Sequence, residues 1–240
     1  MTVGPEVIIR MQLMLQQWEK EADQKAVFLR CYQMMTNNML SAIEKQEFHD
    51  SDWVNRLLLR FADYYFNALE AYEREPASAL LAWQLAFNST RDPRAMTLQN
   101  LLLGVNAHIN YDLVLALTDL LKPEWDNLSG KQRNQRYTDH KHVNEVIAAT
   151  IDAVQDQVLE PSMPVMDYLD RLLGKYDEMI ISRLLTEWRE SVWAYVVQLL
   201  EAAGSDERSA IIHQVENKAN RLGEMIYIGD SQRNAYAQDL

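Results

Sequence analysis

The stretch Pro93–Leu121, PRAMTLQNLLLGVNAHINYDLVLALTDLL, sets the terms for the rest of the chain. Asp92 stands where a helix N-cap would, and Pro93 at a first helical position, where its missing N–H costs nothing. Lys122-Pro123 closes the run with a cation followed by a residue that cannot continue a helix. A rod of this length spans about 43 Å at roughly 1.5 Å per residue. From Leu98 onward it is apolar on nearly every side, so neighbours must bury it. It nevertheless carries Gln99, Asn106, His108, Asn110 and Asp112. Buried polar groups must be hydrogen-bonded, paired or metal-bound, because leaving them bare costs several kcal/mol.

Flanking segments supply the neighbours. Apolar residues recur at three- and four-residue spacing in Pro5–Lys20, Gln24–Lys45, Trp53–Arg74, Pro76–Phe87, Thr138–Val158, Val165–Leu173, Tyr176–Ala203 and Asp206–Met225. Ser51 or Asp52 is placed to cap the third of these. No run of alternating β-branched residues interrupts them. With only 7 Gly and 6 Pro, the chain has few turn-makers, which favours long helices and short connections. These features predict an all-α, single-domain bundle of about nine helices over residues 1–240. Its core would span about 20–225, with a frayed tail from 226. The polar segment between Pro123 and Val143, with Lys131, Arg133, Arg136 and Lys141, reads as a loop over a site.

The formal charge of −12 disfavours nonspecific nucleic-acid binding and attraction to anionic membranes. The single cysteine, Cys31, excludes an internal disulfide, fits a reducing compartment, and reads as packing. No signal-peptide pattern opens the chain, and no apolar run approaches the roughly 20 residues of a membrane span. The expectation is a cytoplasmic protein with neither nucleic acid nor membrane as partner.

His108 and Asp112 lie four residues apart, so their side chains meet on one helix face. Imidazole and carboxylate on a rigid rod form half of a metal site, suited to zinc, iron or manganese. Asp139 and Asp177 project onto faces that should be packed and are the candidate further ligands, with His140 and His142 close behind. One divalent ion held by His108, Asp112, Asp139 and Asp177 would activate a water, and Arg136 would orient an anionic substrate group. Two other readings of the pair stay open: a metal-free acid–base dyad in which Asp112 fixes the imidazole tautomer, and a satisfied structural hydrogen bond. Gln99, Asn106 and Asn110 read as hydrogen-bond pins between helices. HExxH, paired ExxH, P-loop, GxSxG and CxxC motifs are absent.

The block LGVNAHINYDL (103–113) resembles the signature of a widespread, predominantly bacterial family of helical proteins defined as a domain of unknown function. FLRCYQMMT (28–36), FADYYFNAL (61–69), the segment from Arg136 through Asp139 to VNEVI (143–147), and WRESVW (188–193) follow in the same order. The resemblance covers about residues 20–220 and implies a helical class without an activity. His108-x-x-x-Asp112 is also distantly similar to the HxxxD element of helical zinc-dependent phospholipases C. Those enzymes use further histidines and a ligating N-terminal tryptophan, whereas this chain has five histidines and begins Met1-Thr2. The supply of ligands allows one metal or none. Two functional classes therefore stand: a metal-assisted, hydrolase-like enzyme with a buried His/Asp site, and a non-catalytic helical module binding an apolar small molecule or a partner protein.

Overall fold

The computed structural model describes residues 4–159 and 176–237, and these residues contain nine α-helices and no strand. They are α1 (Gly4–Lys20), α2 (Lys25–Glu44), α3 (Ser51–Arg74), α4 (Leu81–Ser89), α5 (Thr97–Ala107), α6 (Leu113–Leu121), α7 (Gly130–Val154), α8 (Tyr176–Glu201) and α9 (Ser205–Ala237). The all-α expectation holds. The short helix expected at Val165–Leu173 lies outside the described residues.

A glycine-poor chain must end its helices on other residues. Helices α1 and α2 both end in Schellman turns on non-glycine residues in the left-handed region, Ala22 (φ 56°) and Gln46 (φ 57°). The Asp23 N–H reaches back to the Trp18 carbonyl and the Glu47 N–H to the Ala42 carbonyl, closing the last turns. Helix α3 is capped by Asp50 rather than Ser51 or Asp52. The Asp50 carboxylate accepts the Trp53 N–H at 2.9 Å, because a cap must itself lie outside the helical backbone.

Several sequence expectations change. The helix expected over Pro76–Phe87 is a 3-10 turn at Pro76–Ser78 followed by α4 from Leu81. The central helix starts at Thr97, not Pro93: Asp92 accepts the Arg94 N–H, so residues 92–95 form a turn ahead of the helix. The polar segment after Pro123 is not a loop. A single 3-10 turn (Trp125–Asn127) leads directly into α7, whose start is capped by Ser129 and Gln132 in a reciprocal box. Helix α9 continues to Ala237 instead of ending near Met225.

The centre of the fold is the rod formed by α5, a five-residue π turn (His108–Asp112) and α6, continuous over Thr97–Leu121. By length and composition it could cross a membrane, contrary to the expectation that no such run exists. However, 72% of its most apolar window is buried within the protein, as a core helix requires. Below the π turn, α5 packs with α1, α2, α4 and the C-terminal half of α3 around Leu103, Trp83 and Tyr65. Above it, α6 packs with the N-terminal half of α3, α7, α8 and α9 around Leu117, Trp53 and Val196. Asn106 and Gln99 act as the expected pins between helices, whereas Asn110 donates only to Asn106 within the rod and its Oδ1 has no partner among the described residues. Asn106 donates to the Ala219 carbonyl (2.8 Å) and accepts from Asn110 (3.1 Å). Gln99 donates to the Ile226 and Tyr227 carbonyls (3.0 Å each), so α9 is pinned along the rod at two heights.

Candidate functional site

The π turn decides where His108 and Asp112 point. One extra residue in the turn widens the helix, a feature often associated with functional positions. His108 Nδ1 and Asp112 Oδ2 come to 3.0 Å, with the two residues 3% and 2% exposed. The Trp83 indole N–H from α4 donates to both carboxyl oxygens at 3.2 Å. The imidazole is stacked on Phe61 (3.5 Å between centroids, 6° between planes), with Tyr32 edge-on at 4.5 Å and Phe28, Tyr65 and Trp83 completing the ring of aromatics. Burial pushes the His108 pKa well below the ordinary histidine value and the Asp112 pKa well above the ordinary carboxyl value, although the Trp83 hydrogen bond pulls Asp112 back. Both shifts favour the uncharged forms. His108 Nε2 has no hydrogen-bond partner, and neither does the nearby Tyr32 hydroxyl.

His108 and Tyr32 belong to the wall of a cavity of about 190 Å³. The remaining wall comes from α2 (Phe28, Met35, Met39), α3 (Leu57, Phe61), α5 (Leu98, Leu102, Val105), α7 (Val143, Ile147, Ile151) and α8 (Leu185). Its polar side chains are Tyr32, Thr36, His108 and Arg189. Cys31 also lines it, and burial pushes its thiol up to about 12, which leaves it a packing group and not a nucleophile.

Arg189 is 3% exposed on α8. Its Nε donates to Asn144 Oδ1 (2.7 Å), and its Nη2 donates to the His140 carbonyl (2.8 Å) and to His140 Nδ1 (3.2 Å). The ring nitrogen on the other side, His140 Nε2, donates to the Arg189 carbonyl at 3.0 Å. This two-way lock fixes His140 as the neutral Nε2–H tautomer. Burial, then the Arg189 charge, pushes its pKa well below the ordinary value. Burial lowers Arg189 to about 10, so it remains a cation at neutral pH.

Arg136 and Asp139 form a third cluster, at the start of α3. Both Asp139 oxygens accept backbone N–H groups, from His49 (2.7 Å) and Asp50 (3.0 Å). Arg136 binds Asp50 Oδ2 (2.7 Å) and Glu124 Oε1 (3.0 Å) and lies over the Trp53 ring. Together they fasten α7 to the cap of α3.

A family model described as a family of unknown function, DUF5995, matches residues 5–228. The chain belongs to this family. No curated protein and no solved structure matches it. The match extends beyond the span of about 20–220 that the resemblance covers, and it brings a family without an activity.

In this DUF5995 protein the sequence-predicted residues fall into separate groups. His108 and Asp112 meet as expected. Asp139 and Arg136 meet each other's partners around Asp50 and do not join the His108–Asp112 pair, because the backbone of the α2–α3 connection takes both Asp139 oxygens. The Asp177 side chain lies outside the described residues. Among the described residues, no three His, Cys, Asp or Glu side chains gather in a group that could hold a metal ion. Trp83, Arg189 and the cavity itself were not anticipated. Arg189 did carry a signal, since it follows Leu185 by four residues and so shares the buried face of α8.

Proposed function

We propose that this protein binds a small apolar molecule in the cavity between the rod, α2, α3, α7 and α8. The supporting observation is the cavity itself. Protein interiors are packed as densely as organic crystals, with few voids larger than a water molecule. An apolar occupant of this space of about 190 Å³ gains dispersion contacts with its wall and removes its own surface from water. Apolar cavities of about 150 Å³ stay dry and take up benzene-sized molecules, so the expected ligand is of that size or slightly larger. The Met35 and Met39 side chains on the wall can adjust to its shape.

The test is a thermal titration with 1-octanol. Wild-type protein should show a dose-dependent rise in Tm. A Val105→Phe variant, which fills the cavity from α5, should fold and show a much smaller rise. No shift in the wild type, or equal shifts in both proteins, would overturn the reading.

The His108–Asp112 pair supports a second, catalytic reading, because a ring nitrogen without a partner stands on the cavity wall with its opposite nitrogen fixed by a carboxyl. Acid–base chemistry on an apolar ester or ketone is what such a dyad performs. His108→Gln would then abolish turnover of a hydrophobic ester while leaving 1-octanol binding intact. Wild-type protein without turnover above His108→Gln would remove this reading and leave the first untouched.

A further inference from the structure

Arg189 is a cation enclosed by the protein without an anion beside it. Among the described residues no carboxylate lies within ion-pair distance of its guanidinium. The neighbouring Glu190 attracts it only at longer range and accepts the Tyr137 hydroxyl at 2.7 Å. Its polar contacts are an amide oxygen, a carbonyl and a neutral imidazole, all on Nε and Nη2, and Nη1 has no hydrogen-bond partner among the described residues. Buried charges are ordinarily paired, because desolvating one costs several kcal/mol. This one is instead held by His140 and Asn144 and contributes to the mostly apolar cavity wall, which also includes Leu185 and Ile147.

We propose that the occupant of the cavity is a medium-chain carboxylic acid whose carboxylate pairs with Arg189 and whose hydrocarbon tail lies among Ile147, Val105 and Phe61. The inference rests on the reading of the cavity as a binding site and adds the ligand's head group. One cation with one unused nitrogen matches a singly charged head, whereas a phosphate dianion would leave a second buried charge without a partner. A volume of about 190 Å³ is roughly six water-sized units, which suits a tail of about six to eight carbons.

The experiment compares octanoate, 1-octanol and octylammonium, the same tail with three heads, by calorimetric titration of the wild-type protein near pH 7.4. Octanoate should bind at least about tenfold more tightly than 1-octanol, as a charge-assisted hydrogen bond provides, and octylammonium should not bind. Arg189→Met should remove the preference for octanoate and keep 1-octanol binding. Because that variant can fail to fold, the three-head series on the wild type stands as evidence by itself. Octanol binding as tightly as octanoate would overturn the carboxylate inference and leave the apolar site standing. If none of the three binds, both readings fail.

Discussion

His108 Nδ1 and Asp112 Oδ2 stand 3.0 Å apart within one π turn, and the Trp83 indole donates to the same carboxyl. A single acidic side chain thereby satisfies two buried nitrogens from two helices, and burial favours its uncharged form. Asp112→Ala leaves both nitrogens unpaired, at about 1–3 kcal/mol each, so urea denaturation should show a loss of about 3 kcal/mol or more. Asp112→Asn keeps an acceptor for Trp83 and a donor for His108 and should lose only about 1 kcal/mol. Equal losses for the two variants would mean that the carboxyl is ionised and that its charge is what the site needs.

The Asp139 carboxylate and the Arg136 guanidinium act on the same residue, Asp50, one through its backbone N–H and the other through its side chain. Asp139→Ala should cost about 2–3 kcal/mol, since two backbone N–H groups lose their acceptor. Amide exchange at His49 and Asp50 should accelerate with it. In a double-mutant cycle with Arg136→Met the two positions should couple by about 1 kcal/mol, as residues sharing one network do. Strict additivity would show that the two contacts hold the α3 cap independently.

These two clusters show what the sequence made legible. The His108–Asp112 pair follows from local periodicity, because four residues along one helix fix a neighbour almost regardless of the remaining fold. The same holds for the Asn106 and Gln99 pins, whose burial on an apolar rod demanded partners. Asp139 was correctly placed on a packed face, but a face does not name its partner. The acceptor role emerged only when the α2–α3 connection came against α7, a contact about ninety residues away in sequence. The cavity was illegible for a related reason. It is a mismatch between side chains of five helices, and no single helix records it in its pattern.

His140 gives a pH dependence with a defined sign. Its folded pKa is depressed below the unfolded value of 6.5, so its contribution is complete above that value and is lost as the pH falls through it, when the unfolded chain takes up a proton that the folded one refuses. His108 acts in the same direction. Asp112 acts in the opposite direction: its raised carboxyl keeps a proton that the unfolded chain gives up above 3.8, and its contribution fades as the pH rises. Comparing wild type with His140→Gln isolates the contribution of His140. Between pH 6.5 and 5 the wild type should lose stability more steeply than the variant, by up to about 1.4 kcal/mol per pH unit. Parallel curves would show that His140 titrates normally and that its lock with Arg189 opens in solution.

Gly104 supplies a case in which helix propensity and packing disagree. In the middle of an exposed helix, Gly→Ala gains roughly 1 kcal/mol by restricting the unfolded chain. At position 104 an added Cβ would lie 2.6 Å from both Cγ and Cδ2 of Phe28 and 3.1 Å from its Cβ. The nearest atoms include the base of the ring, which cannot swing aside as the tip of a flexible chain would. Phe28 is itself held between Tyr32, Tyr65, Trp83 and His108, so α5 and α2 must separate. Overpacking of this kind typically costs 1–3 kcal/mol and outweighs the propensity gain. Gly104→Ala should therefore lower stability by about 1–2 kcal/mol in urea denaturation, against the sign that propensity alone gives. Because Phe28 and Val105 both line the cavity, the same variant should also change 1-octanol affinity. A stabilised variant with unchanged affinity would show that α2 yields at this contact, and the close approach of α5 and α2 would then have no part in shaping the cavity.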